Sequence, residues 1–249
     1  MEVERRLTLS PPAVELTASD ALHLPTIVRR YLEYVGAVGR NRVTNFRATM
    51  RGEIRRHAKA SFMPFEAEQH NFVSEPARLF LMRASLFGLP FDAFHRYTDG
   101  SATMRVKVAS LITVVDAHGA EMNRSETVTL FNDMCILAPP TLVDPAIRWE
   151  ELDPLTVKAW FTNAGNTISA VLSFNEKGEL TNFQSDDRYL SADGKTYEKY
   201  RWSTPVRDYR DFDGRRAATR GEASWKMPNG EFVYIRLEIL NIEYNVRRN

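Results

Sequence analysis

The chain has 249 residues, 43% of them hydrophobic and 26% charged, with 33 Lys and Arg set against 32 Asp and Glu. That composition supports a packed core and excludes a disordered chain, and a formal net charge of +1 offers no field to hold a nucleic acid. The single cysteine, Cys135, rules out an internal disulfide, and no CxxC or Cys/His cluster offers a metal site.

Residues 1–22 read as an N-terminal extension and residues 23–249 as one domain. The first 30 residues mix Glu2, Glu4, Arg5 and Arg6 with Pro11 and Pro12, so no leader or membrane span is expected and the chain reads as cytoplasmic. A first helix is expected near residues 25–36, where Pro25 stands at its start, Ile27, Val28, Tyr31, Leu32 and Val35 form one stripe, and Gly36 ends it. The period then changes to two. Strands are expected over Val43 to Arg55, Ala60 to Val73, Ala77 to Phe87, Phe91 to Thr98 and Ala102 to Val115. A second helix is expected near residues 124–138, stopped by Pro139 and Pro140. Beyond it, strands are expected over Val157 to Thr162, Thr167 to Asn175, Leu180 to Leu190, Tyr197 to Thr204, Val206 to Phe212, Ala217 to Met227 and Glu231 to Tyr244. The fold class is therefore mainly β with two covering helices: one curled antiparallel sheet or half-barrel of about twelve strands, whose concave face the helices cover.

Several motifs carry a resemblance. LPTIVRRYL at residues 24–32, FEAEQ at 65–69, DGSATMRVK at 99–107, APPTLVDP at 138–145, RWEELD at 148–153 and SWKMPNGEFVYIRLEI at 224–239 resemble an uncharacterised bacterial family. The resemblance runs from Pro25 to Tyr244. The family's topology is similar to that of the bacterial lipoprotein carriers of the LolA/LolB type. It implies an incomplete barrel with an apolar groove, and no activity comes with it.

Catalytic motifs are sparse. No nucleophile elbow, dinucleotide fingerprint or phosphate loop occurs, so no cofactor is expected. Cys135 reads as a buried structural thiol. His95, Tyr97 and Asp99 share one face of a strand, as an acid–base relay inside a barrel would require, or as a histidine satisfied at its rim. Arg188 and Glu198 form a second candidate acid–base pair. Each of Arg188, Glu198, Arg201, Arg216 and Glu222 is either interior and paired or part of a solvated ladder.

For ligand binding, Gln69, Trp160, Phe183, Trp202, Trp225 and Tyr234 are the candidates, with Gln69 in a hydrogen-bonding or structural role and the aromatic residues as rigid groove walls. Arginine supplies 26 of the 33 basic residues, which suits bidentate grip on a carboxylate-headed lipid. The expected function is binding of a hydrophobic small molecule or lipid in an apolar pocket, without catalysis. The alternatives are a cofactor-free cyclase, isomerase or lyase acting on a hydrophobic metabolite in the same pocket, and a module that binds protein partners through its sheet edges.

Overall fold

The computed structural model describes residues 2–9, 14–86, 89–108, 112–191 and 194–248. A short helix α1 (Glu2–Leu9) and strand β1 (Glu15–Leu16) precede helix α2 (Thr26–Tyr34) and strand β2 (Arg40–Asn41), which pairs with β1. Six strands follow: β3 (Asn45–Ile54), β4 (Met63–Phe72), β5 (Ala77–Leu86), β6 (Leu89–Thr98), β7 (Ser101–Val108) and β8 (Ile112–His118). Helix α3 (Ala120–Ile136) and a 3-10 turn (Pro139–Val143) lead into β9 (Ile147–Asp153), β10 (Thr156–Asn163), β11 (Asn166–Phe174) and β12 (Leu180–Ser185). A small hairpin of β13 (Tyr189–Leu190) and β14 (Glu198–Lys199) comes before β15 (Arg201–Phe212), β16 (Arg215–Met227) and β17 (Gly230–Tyr244).

Thirteen strands form one antiparallel sheet in the order β8-β7-β6-β5-β4-β3-β17-β16-β15-β12-β11-β10-β9. The sheet curls and does not close, since β8 and β9 are its two edges. Because α3 directly follows β8 and the chain then enters β9, this helix crosses the gap that closure would have filled. Turn chemistry narrows the gap further. Asp99 and Gly100 both take positive φ, 54° and 73°, as the tightest hairpin turns need. A Cβ on Gly100 would lie 2.4 Å from the Ala164 Cβ, so the β6–β7 turn sits directly against the β10–β11 turn.

Helix α3 is buried on every side. Its Val128, Phe131 and Cys135 recur at helical spacing and face the C-terminal half of the sheet, where Phe131 stacks on Phe161 at 5.2 Å and meets Phe183 edge-on at 5.8 Å. Tyr31 of α2 donates its hydroxyl hydrogen to the Cys135 carbonyl at 2.8 Å, and Tyr244 at the end of β17 does the same to the Leu137 carbonyl at 2.7 Å. Burial pushes the Cys135 thiol well above its ordinary range.

Five points of the expected element order need correction. The run Ala102 to Val115 is two strands, β7 and β8, and residues 109–111 between them lie outside the described residues. The two runs either side of Pro205 are one strand, β15. Pro205 falls where the β15–β16 ladder skips from Ser203↔Ser224 to Val206↔Gly221, an irregularity of the kind at which a sheet tolerates proline. The run Leu180 to Leu190 breaks after Ser185, and Tyr189–Leu190 leaves the main sheet to pair with β14. The RWEELD segment forms edge strand β9, whose period-2 signal is weak because only Ile147 in it is buried. The N-terminal extension also holds a helix: Val3 and Leu7 of α1 pack on Phe72, Ala77 and Leu79, on the outer face of β4 and β5.

Candidate functional site

Strand register divides the concave face of β3 to β7 into parallel rows. Next to α3 run Phe46–Asn71–Arg78–Tyr97–Ala102 and Ala48–Gln69–Phe80–His95–Met104. Further from the helix run Met50–Ala67–Met82–Ala93–Val106 and Gly52–Phe65–Ala84–Phe91–Val108. The first pair of rows is a polar belt and the second pair is wholly apolar. Their side chains point to one face because successive residues alternate.

α3 answers the belt with polar residues of its own. Glu126, Thr129 and Asp133 lie at i, i+3 and i+7, on the face opposite the Phe131 stripe. Three donors converge on Asp133 Oδ2: Arg78 Nε at 2.8 Å, Gln69 Nε2 at 2.8 Å and Asn71 Nδ2 at 3.1 Å. Arg78 also donates to Glu126 Oε2 at 3.2 Å and to Gln69 Oε1 at 3.2 Å. Every polar group of Gln69 is thereby engaged in positioning Arg78 and Asp133.

Glu126 is the hub, with its side chain only 1% exposed. His95 Nδ1 stands 3.6 Å and Arg188 Nη2 3.8 Å from its Oε1, and the His95 and Arg188 side chains are 19% and 15% exposed. Burial pushes the Glu126 carboxyl upward, yet the His95 ring and the guanidiniums of Arg78 and Arg188 overrule it and hold the pKa down at about 2. For Asp133, burial prevails over Arg78 and Asn71 and raises the carboxyl above its ordinary value. Arg188 itself is held over two indoles, 4.6 Å from the Trp202 ring centre and 5.4 Å from that of Trp225, while its Nε donates to Thr129 Oγ1 at 3.3 Å. Trp202 Nε1 donates to the Tyr234 hydroxyl at 3.1 Å, and Tyr234 lies against Trp225 with ring centres 6.2 Å apart.

The lowered pKa of Glu126 fixes the sign of an acid effect. In the unfolded chain this group titrates near 4.5 and in the folded chain near 2, so the stability it contributes is complete above 4.5 and is lost as pH falls toward 2. Asp133 runs the other way, its raised pKa favouring the protonated folded chain, and partly offsets the loss. Urea titrations across that window should show wild type losing stability on acidification by more than a Glu126→Gln protein does. Parallel profiles for the two proteins would refute the assignment.

The family model for DUF6544, described as a family of unknown function, matches residues 14–237. The chain belongs to DUF6544. No curated protein matches it. Among solved structures, this DUF6544 chain is similar to a DUF1329 family protein from Desulfovibrio piger ATCC 29098, with 12% identity over 95% of this chain and 96% of that one and a TM-score of 0.49. It is also similar to a LolA superfamily protein from Nitrosomonas europaea, with 10% identity over 89% of this chain and 94% of the other and a TM-score of 0.47. Among the described residues of the DUF6544 chain, no helix is long and apolar enough to cross a membrane.

The DUF6544 fold gathers some of the expected site residues and disperses others. Gln69, His95, Arg188, Trp202, Trp225 and Tyr234 come together around Glu126 and Arg78. Tyr97 meets α3 at Thr127, the residue after Glu126, and is fully buried, its hydroxyl shared between Thr127 at 2.7 Å and Asn163 at 2.8 Å. Asp99 does not extend the row: its side chain is 79% exposed in the turn after β6 and lies 3.9 Å from Arg6 of α1. Glu198 is exposed on β14. Phe183 belongs to the packing around Phe131, and Trp160 faces away from the buried Ala159 and Phe161, sandwiched by Arg148 and Lys158. Arg201 pairs with Asp186, Arg216 covers Tyr34 and Glu222 meets Arg236, all at the surface. Two hollows lie off the concave face, one of about 20 Å³ beside α1 and one of about 460 Å³ on the outer side of β6 and β7.

Glu126, Asp133, Arg78 and Asn71 were not among the expected site residues. The signal was present in the helix, where two carboxylates seven residues apart interrupt a segment with apolar residues on its other sides.

Proposed function

We propose that this protein binds a hydrophobic small molecule or lipid along the concave face of β3 to β7, its chain on the apolar rows and its polar end at Glu126, His95 and Arg188. The observation that carries this reading is the division of one face into a polar belt and two apolar rows that meet at Phe80 and His95. Ala67, Ala84 and Ala93 put small side chains on the apolar part, the Phe65 ring lies over Gly52, and Phe91, Val106 and Val108 remain half-buried beside them. Half-buried apolar surface of this kind gains about 25 cal/mol for each Å² a ligand covers. The buried indoles of Trp202 and Trp225 hold Arg188 at the polar end.

Binding of a long-chain fluorescent probe to delipidated protein tests the reading, with native mass spectrometry after exposure to a lipid extract as the second readout. Val106→Trp places an indole over the apolar rows from β7 and should weaken probe binding by roughly tenfold or more, since it displaces the ligand area that supplies the affinity. Its urea midpoint reports whether the fold is intact. Wild-type protein that takes up neither probe nor lipid, or a folded Val106→Trp protein that binds as wild type does, would overturn the reading.

A further inference from the structure

We infer that the ligand's polar end is a neutral hydroxyl group, an alcohol rather than a carboxylate or phosphate, bridging Glu126, Arg188 and His95. The inference rests on the binding reading above and adds the class of head group.

The first ground is a set of gaps. His95 Nδ1 is buried and makes no hydrogen bond among the described residues. Its distance of 3.6 Å from Glu126 Oε1, and the 3.8 Å from that oxygen to Arg188 Nη2, both exceed hydrogen-bond length. Glu126 Oε2, by contrast, is engaged by Arg78. His95 Nδ1 is thus left without a partner beside an oxygen slightly too far away to satisfy it, with Arg188 Nη2 at a similar remove from the same oxygen, in a place where an unsatisfied group costs about 1–3 kcal/mol.

The second ground is charge. Arg78 is matched by Asp133 and Arg188 by Glu126, so the interior already holds two guanidiniums against two carboxylates. A carboxylate or phosphate arriving here would be an uncompensated anion beside Glu126, with no hydrogen to offer its Oε1. A hydroxyl brings one donor and two acceptor sites. It can donate to Glu126 Oε1 while accepting from Arg188 Nη2, and the remaining site faces His95 Nδ1. An uncharged head adds nothing to the electrostatic balance.

The test is a matched pair on the full-length chain. 1-Dodecanol and dodecanoate carry the same tail and compete at pH 7.5 against a long-chain fluorescent probe. The alcohol should displace the probe with an affinity roughly tenfold or more above that of the carboxylate, the equivalent of one hydrogen bond to a charged group. His95→Leu should reduce that preference, and a folded His95→Leu protein that keeps the preference in full would overturn the head-group inference. Dodecanoate that competes as well as or better than dodecanol overturns the head-group inference and leaves the binding reading standing. If the probe never binds, the binding reading fails and this inference falls with it.

Discussion

Replacing Glu126 with Gln should lower folding stability by about 3–5 kcal/mol, the usual cost of removing one member of a buried charge group. The substitution preserves size and some hydrogen bonding, so the loss reports charge. It leaves Arg78 with Asp133 alone, and Arg188 without any carboxylate, in a region where Glu126 was 1% exposed. Urea unfolding measures it. A second substitution sharpens the result: Arg188→Met removes the stranded cation and places an apolar stem against Trp202 and Trp225, so the double variant should recover part of the loss. A loss below about 1 kcal/mol for the single variant, or strict additivity in the pair, would show that Glu126 does not hold these cations together.

Phe131→Ala should cost a further, independent sum of about 3–5 kcal/mol, because truncating a fully buried aromatic leaves a cavity that its surroundings only partly fill. The location matters beyond the size. Phe131 is the knob by which α3 grips Phe161 of β10 and Phe183 of β12, while the polar face of the same helix holds β4 and β5. Loosening the apolar side should therefore raise hydrogen exchange in α3 and at edge strands β8 and β9 before the β3–β17 ladder is affected. Uniform loss of protection across the sheet would contradict that order.

Strand content was legible because alternation and turn residues speak locally: Asp99-Gly100 and Asp213-Gly214 mark hairpins whose backbone takes the positive φ they demand. α2 was equally plain, with Ile27, Val28, Tyr31 and Leu32 on its buried side. What escaped was decided by distant partners. β9 shows little alternation because it is an edge whose residues after Ile147 stay at least partly exposed. Asp99 shares a strand face with His95 by spacing, but it falls in the turn beyond the strand, where α1 supplies its neighbour. Glu126 and Asp133 could not be assigned from local pattern, since their burial depends on Arg78 arriving from β5, 48 and 55 residues earlier. His95 and Arg188 were identifiable as candidates, and the glutamate that joins them was not.

The β3–β17 seam has a consequence for biosynthesis. Residues 45–54 wait for residues 230–244 as ladder partner, so nearly the whole polypeptide must leave the ribosome before the middle of the sheet exists. Until then β3 presents a bare flank able to recruit a neighbouring nascent molecule. Truncation ahead of β17 would leave two such flanks, β3 and β16, in the centre of the sheet, and misassembly of the shortened product would begin there rather than at β8 or β9.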